Sequence, residues 1–288
     1  RNITSNISAK TPTAIAAWVA QVCHARLVKG IGLTRVLVME EPFHTGDEFT
    51  DFILRITHEI WEEGQVLAIN DYYGKDVIVR SPSGVTTGCQ SVVDSTYATL
   101  KEFPDRQLLG EDVIHCEGND SEWLSSHRIF STATHLGQGY FGDPTGCALR
   151  YRVVADCAVR DGVIFDEWLV RDFGAIVRQM GSTPEAVASR IVQSAGGSTI
   201  ESDTAFRTVA PLYTHGGNSG LVGPVLVDAI SGVLRGDVDA VRGYFDRAAQ
   251  FDLPGGMVVN GRDFGLGALR DLFAAWSLED MTVDHVIG

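Results

Sequence analysis

The chain has 288 residues, 44% of them apolar, and a formal net charge of −14, with a pI near 4.9. Such a length and apolar fraction support one large or two modest packed domains, while the acidity repels phosphate backbones and anionic lipid and no Lys/Arg run reverses it locally, so neither nucleic acid nor a membrane is an expected partner. Five cysteines (Cys23, Cys89, Cys116, Cys147 and Cys157) are odd in number and form no CxxC; they read as thiols of a reducing compartment, and the expected location is cytoplasmic.

Residues 1–48 read as an N-terminal extension with a helix over 12–28, whose apolar run is interrupted by His24, Arg26 and Lys29 and is too short for a membrane span. No secretory leader is recognisable, and the first residue, Arg1 rather than Met, suggests an incomplete or processed N-terminus. From residue 49 the pattern sharpens. Phe49, Phe52, Ile53, Ile56 and Ile60 recur at helical spacing with Trp61 adjoining, until Gly64 interrupts. A short helix over 65–73 leads Tyr72 and Tyr73 into the extended DVIVR at 76–80, and Pro82, Gly84 and Gly88 mark a turn. Val92, Val93, Tyr97, Leu100 and Phe103 predict another helix, stopped by Pro104.

Beyond it the period changes to that of strands. LLGEDVIHCEG, SEWLSSHRIFSTATH, CALRYRVVADCAVRDG and VIFDEWLVRD are extended runs separated by Gly-rich breaks, so neighbours should pair antiparallel. Helices followed by a curved sheet make an α+β cone, the sheet wrapping the N-terminal helices. Helix returns over 173–196, and the Gly/Ser/Thr-rich 196–220 reads as a linker. Residues 221–288 repeat the earlier half-pattern: Tyr72, Gly88 and Phe103 recur as Tyr244, Gly261 and Trp276, and PSGVTTG at 82–88 returns as PGGMVVNG at 254–261. The expected units are therefore an extension at 1–48, a complete domain at 49–195, a linker at 196–220 and a partial second copy at 221–288.

The Pro-x-Gly turn, THLGQGYFGDPTG at 134–146, the DEWLVRD strand and the FGAIVRQMG that follows it together resemble the SnoaL-like polyketide cyclases and predicted ester cyclases. These belong to the nuclear transport factor 2-like superfamily, whose cone also carries ketosteroid isomerase and scytalone dehydratase. The resemblance spans about residues 49–181, with a partial second match at 221–288. It implies an intramolecular aldol closure without cofactor, assisted by an Asp in a last strand that commonly reads EHWD. Here that strand gives Asp166, Glu167, Trp168 and Leu169. Leu169 takes the Asp position, Glu167 the His position, and the partner His of the preceding strand falls at Ala155.

A reaction of this kind needs a base for a proton next to a carbonyl and a group that steadies the oxyanion. Strand alternation puts 165, 167, 169 and 171 on one face, so Glu167 is the surviving carboxylate candidate, facing the same cavity as Leu169 and Arg171; an ion pair between Glu167 and Arg171 is the competing structural reading. His127 and Arg128 point to opposite faces of their strand, and His127 shares parity with Ser125, Ser131 and His135, a polar stripe that meets either a wet pocket or an interface. His135 lies in the Thr-His-Leu-Gly motif, which the resemblance places near the cavity, a strand-end hydrogen bond being the alternative. The expected catalytic set is Glu167, His127 and His135; Trp61, Tyr72, Tyr73, Arg128, Trp168, Leu169 and Arg171 are the expected substrate-binding residues. Asp156, in an apolar run, is expected to be offset by Arg150 or Arg152, and Asp172 to cap a helix.

No GxGxxG after a strand, GxxxxGK[ST] or HExxH occurs, and HGGNSG at 215–220 lacks the setting of a nucleophile elbow; no cofactor and no metal are expected. The function expected is binding of a small, largely apolar carbonyl or ester compound, with a cyclisation or isomerisation by proton transfer. The alternative is a ligand-binding or dimerisation module without catalysis. The outer sheet face is expected to be buried in a homodimer or in a pseudo-dimer within the chain.

Overall fold

The computed structural model describes residues 45–118, 121–194, 209–218, 220, 222–274 and 281–288; the helix expected over 12–28 lies outside them. Helix α1 (Glu48–Thr57) starts where the Asp47 side chain accepts the Thr50 N–H at 2.7 Å, a cap worth about 1 kcal/mol. It widens into a π-helical turn, His58–Glu62, that keeps Ile60 fully buried and ends near Gly64, whose φ of 76° suits glycine. A 3-10 turn (Val66–Ala68) and α2 (Ile69–Tyr72) lead into β1 (Tyr73–Ser81) and β2 (Gly84–Thr87). Helix α3 (Cys89–Glu102) and the long strands β3 (Gln107–Glu117), β4 (Glu122–Thr134), β5 (Ala148–Arg160) and β6 (Val163–Arg171) follow, close to the runs that periodicity marks out.

The six strands form one sheet in the order β2-β1-β6-β5-β4-β3. β3 to β6 pair as antiparallel neighbours, and β1 joins β6 in parallel. On the concave face, α1, α2 and α3 bury a core with Ile60, Ile69, Val77, Val93 and Ile164, the α+β cone expected from the order of elements. The strand register lays residues out in lateral rows: Ser125, Cys157, Glu167 and Val79 in one, His127, Ala155 and Leu169 in the next, Ile129, Val153 and Arg171 in a third.

One expectation of alternation fails. Phe165 does not share the face of Glu167, because β5 and β6 shift register between Ala158 and Val159; the extra residue turns Phe165 outward to pack by Tyr213 and Ile287, while Ile164 faces the core. The helix expected over 173–196 is two, α4 (Phe173–Gln179) and α5 (Pro184–Ser194). Gly181 at φ 74° and the Thr183 hydroxyl, which accepts the Ala186 N–H, break the run, and Pro184 suits a first turn.

The rest of the described chain comprises α6 (Val222–Leu234), α7 (Val238–Val241), a 3-10 turn (Arg242–Tyr244), the hairpin β7 (Gln250–Leu253) and β8 (Met257–Asn260), and α8 (Arg262–Phe273). These elements share a core around Val233, Phe251, Leu266 and Leu269. Residues 209–218 lie against the convex face of the sheet: Arg80, fully buried, donates to the carbonyls of Val209 and Ala210 and pairs with Asp166, which accepts the Leu212 N–H. Gly217 bridges Val286, and Tyr213 and Ile287 are buried over Leu124 and Ala158. Asp156 pairs with His285 at 3.2 Å rather than with Arg150 or Arg152. Arg152 turns to Glu111 and Asp252 instead. Asp172 caps α4 by accepting the Ala175 N–H, and also takes those of Gly255 and Gly256 in the β7–β8 turn.

Candidate active site

Between α1 and the concave sheet lies a small, partly open cavity of about 50 Å³. Ile53, Ile56, Thr57 and Trp61 line it from α1 and the π turn, and the sheet contributes His127, Ile129, Ala155, Glu167, Leu169 and Arg171. Tyr73 closes it from β1, and Arg106 and Leu108 from the entry to β3. Most of this wall is apolar. Its chemistry is concentrated in a few buried groups.

Glu167 is 4% exposed. Burial pushes its carboxyl up to about 7, over the opposing effects of a hydrogen bond from Tyr73 and the positive field of Arg171; the charges of Asp166 and Asp156 add to the rise. Tyr73 is buried beside it, and both burial and the Glu167 charge hold its phenol protonated. Tyr73 is therefore a hydrogen-bonding partner of Glu167 in the cavity wall, beside the more distant charge of Arg171. Burial lowers the Arg171 guanidinium, with Tyr151, Glu167 and Tyr73 acting in the other direction.

His127 is 2% exposed, and burial lowers its imidazole to about 4, so it is neutral at pH 7. Its Nδ1 lies 3.5 Å from the Thr57 hydroxyl, which itself donates to the Ile53 carbonyl. A proton on Nδ1 satisfies both, and leaves Nε2, which has no partner among the described residues, as an acceptor. Gly110 passes beside this ring: a Cβ there would lie 3.0 Å from Nε2 and closer still to Leu54, so glycine is what lets β3 run beneath α1 at this point.

Of the residues expected from sequence, the structure brings Glu167, His127, Trp61, Tyr73, Leu169 and Arg171 to one cavity. His135, Tyr72, Arg128 and Trp168 do not line it. The His135 Nδ1 accepts the Thr145 N–H at 3.3 Å and its Nε2 lies 3.3 Å from Glu102, whose carboxylate also accepts the N–H groups of Tyr140 and Phe141; this histidine ties the 134–146 segment to the end of α3. Tyr72 donates to Glu59. Arg128 points to the convex face, as alternation from His127 requires, and pairs with Glu111. Trp168, one residue from Glu167, also points outward, with Arg80 stacked over its ring at 5.0 Å.

Arg106 is the cavity residue that sequence reading missed. It lies in the loop between α3 and β3, is 5% exposed, and is hydrogen-bonded to Tyr151. Burial lowers it to about 10, the Tyr151 charge opposes this and the nearby Arg171 adds to it. Nothing in periodicity marks a loop arginine as buried; the only local signal is that it follows Pro104-Asp105 and directly precedes an apolar strand start.

Residues 52–180 match the family model described as SnoaL-like polyketide cyclase. Among solved structures, AclR from Streptomyces galilaeus is 23% identical, with 48% of this chain and 98% of that chain covered and a TM-score of 0.41. IdmH from Streptomyces antibioticus is 21% identical, with 47% and 99% covered and a TM-score of 0.40. A SnoaL-like protein from Jannaschia sp. CCS1 is 16% identical over 47% and 92%, with a TM-score of 0.41. No curated protein matches the chain. The part of the chain that builds the cone and its cavity, residues 52–180, is thus similar to the SnoaL-like polyketide cyclase family.

Proposed function

We propose that the cone domain is a cofactor-independent cyclase or isomerase in which Glu167 removes a proton from the carbon next to a carbonyl of a small, largely apolar compound. The observation that carries this reading is a carboxyl raised to about 7, 4% exposed, on the wall of an apolar cavity. A base with a pKa near the working pH is the efficient one. In the proposed step the Glu167 carboxylate takes the α-proton, the C–H electron pair moves into the carbonyl, and the resulting enolate is favoured by the positive field of Arg171. In a cyclisation the enolate carbon then bonds to a second carbonyl carbon of the same molecule, and the proton returns from Glu167 to the new alkoxide. Tyr73 positions the carboxylate, and the free Nε2 of His127 accepts a ligand hydroxyl. The Leu169 and Ala155 side chains form cavity wall between them.

The test is α-proton exchange. With 1-tetralone in D2O, followed by NMR, the wild type accelerates deuteration at the α-carbon and Glu167→Gln loses about 10²–10⁴-fold of that acceleration. Exchange at the solution rate with both proteins would leave the cone a binding module and sink the catalytic reading.

The same proposal extends to the whole chain. We read residues 221–288 as the front half of a second cone: a helix, a short helical turn, a two-stranded hairpin, then a helix entered through a glycine, with Gly88 at φ 88° and Gly261 at φ 94° in corresponding places. The pairing expected of the convex sheet face is then met inside one chain, which the docking of 209–218, 281–288 and the β7–β8 turn supports. A cytoplasmic setting fits Cys89, Cys116, Cys147 and Cys157, all free thiols, and among the described residues no helix is long and apolar enough to cross a membrane.

A further inference from the structure

The charges inside the cavity do not balance. Two guanidinium groups, Arg106 and Arg171, line it, against a single carboxylate, Glu167. The other ionisable groups on the wall do not help: His127 is neutral, and the Tyr73 phenol and the Cys157 thiol are both held protonated by burial. Asp156 and Asp166, on the same strands, are turned to the convex face, where His285 and Arg80 engage them. Among the described residues no carboxylate forms an ion pair with Arg106 or Arg171; Glu167 acts on Arg171 only as a more distant charge. Arg106 is 5% exposed, and its Nε has no partner among the described residues. A buried guanidinium without a counterion is costly, and in a chain of net charge −14 a cavity with a cation excess is a local exception to the whole.

We propose that this cavity takes a substrate that carries its own carboxylate, held at Arg106 with Arg171 as the second cation, while its apolar body lies along Trp61, Ile129 and Leu169. This rests on the cavity being the ligand site of the proposed function and adds the class of ligand. A planar guanidinium fork suits a carboxylate better than a neutral carbonyl. An acid seated there is oriented by one end, and its enolisable carbon is presented to Glu167 at the other.

The probes are 2-naphthoate, 2-naphthamide and methyl 2-naphthoate, which share one ring system and differ in charge, titrated into the full chain by calorimetry at pH 7.5. The expected result is that the acid binds about 10-fold or more tighter than either neutral analogue, as one charge-assisted contact worth about 1.4–3 kcal/mol requires. Arg106→Gln is expected to remove most of that preference, read as the ratio of acid to amide affinity within the variant, and Arg106→Lys to restore part of it. Equal or weaker binding of the acid by the wild type, or no measurable binding of any of the three, overturns the proposal without any variant having to fold. Retention of the full preference in a folded Arg106→Gln protein overturns the role of Arg106. The outcome is separable from that of the catalytic reading: a carboxylate preference together with no tetralone exchange leaves an acid-binding cone without chemistry, and exchange without the preference leaves an enzyme for neutral ketones.

Discussion

Two residues of the same cavity titrate in opposite directions from their ordinary values, and the stability of the protein should register both. Glu167 is raised from 4.5 to about 7. Its stabilising effect is complete below pH 4.5, where folded and unfolded chains are both protonated, and is lost as pH rises through 7, because the unfolded chain releases the proton first. His127 is lowered from 6.5 to about 4, so its contribution is complete above 6.5 and is lost as pH falls toward 4, where only the unfolded chain gains the proton readily. Between pH 4.5 and 6.5 the two slopes oppose each other. In Glu167→Gln the histidine acts alone, and urea unfolding should show stability rising with pH in this window by up to about 1.4 kcal/mol per unit; in His127→Gln stability should instead fall as pH rises. A flat profile in both variants would mean that neither group is as dry as the folded geometry makes it. For catalysis the sign is set by the base: the exchange rate should rise with pH and level off above about 7 as Glu167 ionises. The identity of these residues as candidates was legible from parity along β4 and β6. Their environment was not, because burial of a side chain depends on which helix lies over it.

At the scale of elements, the 134–146 segment illustrates how a motif can be recognised while its role is misplaced. His135 was expected either near the cavity or in a strand-end hydrogen bond; the structure binds it into the Glu102 cluster, where one carboxylate satisfies two backbone N–H groups and faces the imidazole. Removing that acceptor leaves buried donors unpaired, so Glu102→Ala should cost about 2–4 kcal/mol of unfolding free energy, with the affinity for cavity ligands in the folded fraction little changed. A fall in stability below about 0.5 kcal/mol would show that water replaces the carboxylate. The π turn at His58–Glu62 and the bulge at Phe165 were equally hidden. Each inserts a residue out of phase with the ideal period, and each reorients a side chain that regular alternation or helical spacing assigns elsewhere. Helix and strand identity, by contrast, followed directly from the 3.6 and 2.0 periods, as α1, α3 and β3 to β6 show.

For the whole molecule, the convex face of the sheet is where the prediction about assembly is tested. Residues 209–218 and 281–288 lie on it, fastened by the buried Arg80 and Asp166 pair, by His285 on Asp156 and by the Tyr213 hydroxyl at 2.9 Å from His285. Light scattering should therefore give a monomer near 31.2 kDa, and amides of 209–218 should exchange slowly with solvent; a dimer in which those amides exchange rapidly would mean that a second copy displaces this cover. Asp156→Asn should speed their exchange, since His285 then loses its charged partner. The sequence by itself determined the α+β order, the antiparallel run of four strands, the resemblance of about residues 49–181 to the SnoaL-like cyclases and the polar stripe through His127, because these depend on local motifs, local period and side-chain parity. Only the tertiary structure decided that Arg106 is buried in the cavity, that Glu167 meets Tyr73 rather than pairing with Arg171, and that Asp156 meets His285 from 129 residues away. Those contacts join segments far apart in the chain, and no local pattern records which distant side chain closes the distance.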